Sequence, residues 1–175
     1  YEVAAHRGSD YDLVVCSGGD GTLDEVVSGL ICLEKRPPLG YIPAGTTNDF
    51  AKSLGISSNM TAAAANVLHG APFAIDVGVF NDRNFAYVAA FGAFTDVSWQ
   101  TPQQLKNRFG HLAYLMDVLK SLPSITPHRM TVEFDDEVIT DSFAYGMVTN
   151  SVSVGGFKSI NGKDMELDDG LFEML

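Results

Sequence analysis

The segment DLVVCSGGDGTLDEVVSGLICLE, residues 12–34, runs from a short β-branched stretch through Gly18-Gly19-Asp20-Gly21-Thr22 into a helical repeat. DLVVCS fits a buried strand that ends at the glycines. Leu23, Val26, Val27, Leu30 and Ile31 then fall on one stripe of a helix. Pro37-Pro38 closes this unit, and a second one follows. LGYIPAG (39–45) reads as a buried strand and TNDFAKSL (47–54) as a short helix, opened by Thr47 or Asn48 and stopped by Gly55. TAAAANVLH (61–69) predicts an alanine-rich helix ended by Gly70. Alternating strand and helix over residues 12–70 predicts a parallel sheet with helices on its faces.

The pattern changes after Pro72. FAIDVGVF, NFAYVAAF, HRMTVEFDDEVIT and DSFAYGMVTN read as strands, with turns at Asn81-Asp82 and Asp135-Asp136. One long helix over 104–121 interrupts them, with Leu105, Phe109, Leu112, Leu115, Met116 and Leu119 on one side. Two domains are therefore expected: an α/β domain over 1–72 and a mostly antiparallel one over 73–175. No first strand is evident, and the chain stops within the apolar run LFEML, as a fragment would.

Composition narrows the function. The 175 residues are enough for one good core or two small domains, and 46% are apolar against 19% charged, an ordinary globular balance. No apolar run spans a membrane and no signal pattern opens the chain. A formal net charge of −11 argues against nucleic acid as partner and supplies no general attraction to anionic membranes. A phosphate ligand would have to rely on backbone amides and a metal ion. Cys16 and Cys32 lie in apolar runs without metal spacing and read as buried thiols of a cytoplasmic protein.

A glycine turn between strand and helix lets amide N–H groups face a ligand with no Cβ in the way, and the helix adds partial positive charge at its start. That makes a phosphate cradle without lysine; a plain tight turn is the structural alternative. Asp20 would oppose a polyanion unless it holds Mg²⁺ or accepts a proton, or else caps the turn. Thr22 can be the helix N-cap, with Glu25 completing a capping box. The second connection, PAGTTNDFA (43–51), would face the same crevice. Its Thr46 and Thr47 can hydrogen-bond phosphate or ribose, and its Asp49 can join Asp20 around a metal or simply favour a helix's first turn.

Together, GGDGTLDEVVSGL and IPAGTTNDFAKSLGI resemble the diacylglycerol kinase catalytic domain family of bacterial lipid, sphingosine and ceramide kinases. The tail GGFKSINGKDMELDDGLFEML resembles that family's GG…LDDGL segment, so the resemblance runs from about residue 10 to the end. It implies a nucleotide-binding α/β domain followed by an antiparallel β-sandwich domain. It implies ATP as phosphoryl donor and a lipid hydroxyl, a glycerolipid such as diacylglycerol, as acceptor at the domain cleft. It implies nucleotide contacts from Gly18, Gly19, Asp20, Gly21, Thr22, Leu23, Asp24 and Thr46. It places Asp20, Asp49 and Asp76 in a magnesium–water network, and makes ELDDGL a structural metal loop with the Asp169 carboxylate and the Glu166 and Leu171 backbone oxygens. The general base is Asp20 or a carboxylate outside this chain. Asp24 departs from the Asn usual in the family. The expected protein is cytoplasmic and meets membranes transiently, with no transmembrane segment; the apolar 104–121 helix and any exposed sheet edge could support a homodimer. Rival readings are a NAD kinase-like enzyme with a nucleotide acceptor, and a non-catalytic nucleotide-binding remnant. His6, His69, His111 and His128 fit no metal spacing.

Overall fold

A computed structural model describes residues 1–92, 126–154, 157–158 and 166–175. These residues form two compact units. One comprises Tyr1–Ala89 with Thr149–Glu173, the other Ala90–Val148 with Met174–Leu175. The long helix expected over 104–121 lies outside the described residues.

The first unit opens with helix α1 (Glu2–Arg7), followed by strand β1 (Val14–Gly18), helix α2 (Asp20–Ile31), strand β2 (Leu39–Pro43), and helices α3 (Asp49–Ser53) and α4 (Met60–His69). β1 and β2 pair in parallel, with Cys16 opposite Tyr41 and Gly18 opposite Pro43. Because parallel strands run the same way, both glycine-rich loops leave one edge of the sheet. Cys16, Leu23, Val27, Tyr41, Phe50, Ala51 and Ala86 make the core beneath that edge. Full burial of a side chain such as Leu23 contributes about 1.5–3 kcal/mol. A hairpin follows, of β3 (Gly78–Phe80) and β4 (Arg83–Phe85). Its turn contains Asn81 at φ 57°, a left-handed conformation that Asn tolerates.

The remaining strands are β5 (Val88–Gly92), β6 (His128–Phe134), β7 (Glu137–Phe143), β8 (Tyr145–Thr149), β9 (Ser153–Val154), β10 (Phe157–Lys158) and β11 (Glu173–Met174). β6 and β7 form an antiparallel hairpin that turns at Asp135, also left-handed at φ 48°. β5, β8 and β11 form a three-stranded sheet with β8 in the middle, and β9 pairs antiparallel with β10.

Several expectations need correction. Residues 2–7 are helical, although no element was expected there. Thr22 is not the cap of α2: the helix starts at Asp20, its N-cap is Gly19, and no side chain caps it. The extended Gly19 backbone leads straight from β1 into the helix, so Thr22 already lies in the first turn. Asn48 does precede α3, but its side chain bonds Gly45 instead of capping. The strand expected from Phe73 begins only at Gly78, because the Asp76 amide is drawn to the Leu167 carbonyl at 2.7 Å. Cys16 is buried as expected, but Cys32 is exposed, one residue past the end of α2.

Candidate functional site

The loops after β1 and β2 meet each other. A Cβ on Gly19 would stand 3.2 Å from Gly45 Cα, and one on Gly45 would collide with the Gly19 backbone. A Cβ on Gly18 would lie 2.7 Å from the Thr22 side chain. Gly21 differs: among the described residues, its chain neighbours and its own helix backbone aside, no atom stands within 4 Å of where its Cβ would be. It sits exposed in the first turn of α2, where glycine costs about 1 kcal/mol relative to alanine. No contact among the described residues explains its lack of a side chain.

Hydrogen bonds lock the pair of loops. The Tyr41 hydroxyl, beneath the sheet edge, donates to the Gly18 carbonyl at 3.2 Å. Burial, then the nearby Asp20 and Cys16, pushes its pKa up, so it remains a donor. Asn48, left-handed at φ 51°, closes on Gly45 twice: the Gly45 amide donates to Asn48 Oδ1, and Asn48 Nδ2 donates to the Gly45 carbonyl, both at 2.8 Å. Asp20 reaches across as well. Its Oδ2 accepts the Asp49 amide and its Oδ1 the Phe50 amide, each at 3.1 Å. Thr46 and Thr47 are exposed at the crest of the second loop.

Asp49 is 1% exposed. Its Oδ1 accepts Lys52 Nζ at 2.9 Å and Ser153 Oγ at 2.8 Å, while its Oδ2 accepts the Tyr87 hydroxyl at 3.1 Å. A buried carboxylate needs such partners. The buried run Thr149, Asn150, Ser151 and Ser153 continues this polar seam. Ser151 Oγ meets Ser53 Oγ at 2.7 Å, and Thr149 Oγ1 donates to the Tyr87 carbonyl at 2.9 Å. None of these four residues, nor Tyr87 or Tyr41, stood out in the sequence. The available signal was a polar run, TNSVS, directly after the apolar strand residues YGMV.

Asp76 is placed at the 167–171 turn. Its Oδ2 accepts the Gly170 amide at 2.6 Å, and Asn150 Nδ2 bridges the Asp76 and Leu167 carbonyls at 3.1 Å each. Within the turn, Asp169 Oδ1 accepts the Leu171 amide at 2.9 Å; Glu166 is exposed. Asp20, Asp49 and Asp76 thus each serve a different backbone or side-chain cluster. Among the described residues, no three His, Cys, Asp or Glu side chains are grouped to hold a metal ion. The three acids therefore do not fit a direct carboxylate cage for a resident metal.

Two residues expected at the nucleotide point elsewhere. Leu23 is buried in the core, and its amide bonds the Gly19 carbonyl at 3.0 Å. Asp24 Oδ1 accepts the Ala86 amide at 2.8 Å. Burial raises the Asp24 carboxyl to about 6, against the pull of that amide and with a push from Asp20. What remains open to a ligand at this edge is the exposed backbone of Gly21 and Thr22 together with Thr46 and Thr47. Backbone amides and hydroxyls beside a helix start suit a phosphate chain.

Residues 2–80 match the model of the diacylglycerol kinase catalytic domain. The chain is 40% identical over 167 residues to the diacylglycerol kinase of Bacillus subtilis (strain 168), covering 95% of this chain and 55% of that protein. It is 36% identical over 175 residues to a diacylglycerol kinase of Staphylococcus epidermidis, covering 100% of this chain and again 55% of the relative. The crystal structure of a diacylglycerol kinase from Bacillus anthracis superposes with a TM-score of 0.77 at 28% identity, over 99% of this chain and 56% of that one. The chain thus spans little more than half the length of these relatives.

Proposed function

We propose that the chain, whose residues 2–80 match the diacylglycerol kinase catalytic domain family, forms the nucleotide-binding part of a lipid kinase. The donor is Mg-ATP, with magnesium arriving as part of the substrate. The acceptor is a lipid hydroxyl, that of diacylglycerol or a related glycerolipid. The observation that carries this reading is Gly21. Gly18, Gly19 and Gly45 lack side chains because protein atoms crowd them, whereas among the described residues the space at Gly21 is open.

Phosphoryl transfer asks a protein mainly for positioning and charge neutralisation. The amides of the Gly18–Thr22 loop and the start of α2 hold the phosphate chain. Thr46 hydrogen-bonds it from the second loop. The lipid oxygen attacks the γ-phosphorus, the bond to the ADP oxygen breaks, and the hydroxyl proton passes to a carboxylate. Both Asp20 oxygens already accept backbone amides, so we assign that proton to a carboxylate in the part of the relatives that this chain does not span. The 166–171 turn is a structural metal loop in this reading, resting on the family likeness alone. No helix among the described residues is long and apolar enough to cross a membrane, so we propose that the lipid is met at the membrane surface.

The test is transfer of labelled phosphate from Mg-ATP to a panel of lipid alcohols, using the complete protein, with NAD as a competing soluble acceptor. Labelled phosphatidate is the expected product. NADP formation without labelled lipid, or ATP binding without transfer to any acceptor, would sink the lipid-kinase reading.

A further inference from the structure

Resting on the reading that the two loops form the nucleotide site, we propose that Asp20 is a positioning residue whose carboxylate holds the second loop against the first. Three observations carry this. First, each Asp20 oxygen is matched to one backbone donor of a segment 29 and 30 residues away, Asp49 N and Phe50 N at 3.1 Å. Charge-assisted bonds of this kind are roughly twice as strong as neutral ones. Second, the receiving segment is tightly turned and closely packed: Asn48 is left-handed at φ 51°, and the Gly19 and Gly45 backbones touch. Such a conformation persists only where its surroundings over-determine it. Third, Phe50 is 1% exposed in the core, so residues 48–50 are anchored by Phe50 below and by Asp20 at the side. Thr46 stands two residues before Asn48. Its position depends on that anchor.

The chemistry separates this role from that of a base or a metal ligand. An Asn at position 20 keeps one acceptor oxygen but turns an N–H₂ toward an amide N–H. One bond is lost and two donors face each other. The loss occurs with no nucleotide or metal present. A residue that served only as proton acceptor or metal ligand, without holding these two amides, would leave the resting loop unchanged when replaced.

The experiment compares wild-type protein with Asp20→Asn and Asp20→Glu, free of nucleotide and magnesium, by amide hydrogen exchange. Cys16 and Val27 amides serve as internal references for the global fold. The expected result is exchange at Asp49 and Phe50 accelerated on the order of 10- to 100-fold in both variants, with the references unchanged. In the complete protein, the KM for ATP should rise by a larger factor than kcat falls, with the pH profile of kcat keeping its shape. Unchanged protection at Asp49 and Phe50 in Asp20→Asn, with kcat lost and KM kept, would overturn the proposal in favour of a base. If Asp20→Asn unfolds, Asp20→Glu decides: it retains charge and basicity but shifts the carboxylate by one methylene, and protected amides there overturn the proposal too. Amide exchange requires no reaction. Accelerated exchange in a protein that labels no lipid would therefore overturn the kinase reading alone.

Discussion

At the scale of single residues, Gly21 and Gly45 lack side chains for different reasons, and substitution separates them. Gly21→Ala lies in the first turn of a helix and, that helix's backbone aside, meets no atom of the described residues within 4 Å. The folded chain should gain about 0.5–1 kcal/mol, while Mg-ATP affinity drops roughly tenfold or more as the methyl enters the cradle. Gly45→Ala drives a methyl into the Gly19 backbone and to 2.8 Å from Asn48 Oδ1. It should cost about 1–3 kcal/mol and weaken ATP binding as well. Urea unfolding and calorimetric titration of both variants check this; a destabilised Gly21→Ala would refute the open-space account. In the sequence, Gly18, Gly19 and Gly21 read as one phosphate feature. That reading puts the proposed site at the turn between β1 and α2. It did not anticipate that two of the three are needed for protein contacts: Gly18 faces Thr22 once α2 winds, and the partner of Gly19, Gly45, is 26 residues on and becomes a neighbour only once β1 and β2 pair.

At the scale of elements, the helices and strands between residues 12 and 70 were legible because glycine, proline or asparagine stands near most of their ends, but burial was not: DLVVCS reads as a buried strand, whereas Val15 is exposed and Cys16 alone of β1 is buried. Their attachments were not legible. Helix α2 is tied to the segment around β4 by Asp24, which accepts the Ala86 amide, and by Ser28 Oγ, which donates to the Asn84 carbonyl at 3.4 Å. Neither tie has a local sequence signal, since the partners lie 62 and 56 residues away. Burial at this junction raises Asp24 from an ordinary 3.8 to about 6. Below the ordinary value, the carboxyl is neutral in folded and unfolded chains alike. Between about 4 and 6 the unfolded chain ionises more readily than the folded one, so this group's contribution to stability falls as pH rises through that window and stays low above it. Asp24→Asn retains an oxygen for the Ala86 amide and removes the charge. It should raise stability at pH 7 by about 2 kcal/mol, allowing for partial solvent screening, and by nearly nothing at pH 3.5. Urea midpoints at the two pH values check it; an equal shift at both would show that the buried charge is not the cause.

At the scale of the whole molecule, the first unit is assembled from two stretches distant in sequence. Residues 149–173 return to it and supply much of its buried polar interior. Ser153 bonds Asp49, Ser151 bonds Ser53, Asn150 bridges Asp76 and Leu167, and the Phe172 ring lies 5.5 Å from that of Phe85. Periodicity along the chain can show a helix or a strand, but it carries no information about where a later segment docks. A buried Thr-Asn-Ser run after an apolar strand looks like a loop until its partners are known. The consequence is specific. Residues 1–89 alone would leave the buried Asp49 carboxylate without Ser153 and the Tyr87 carbonyl without Thr149 Oγ1 and the Asn150 amide, which bonds it at 3.1 Å. Each such bond lost at a buried group costs about 0.5–1.5 kcal/mol, more at a charged one, a large share of the stability of a small unit. A chain of residues 1–89 should therefore lack a cooperative urea transition. Because Thr149 and Asn150 both bond Tyr87, a short Gly-Ser linker in place of residues 90–148 has only a small gap to close, and loop-closure entropy changes slowly with length. The linked chain should unfold cooperatively and retain Mg-ATP binding. Circular dichroism during urea titration distinguishes the two. A cooperative transition in residues 1–89 alone would show that the returning segment is dispensable to the nucleotide-binding unit.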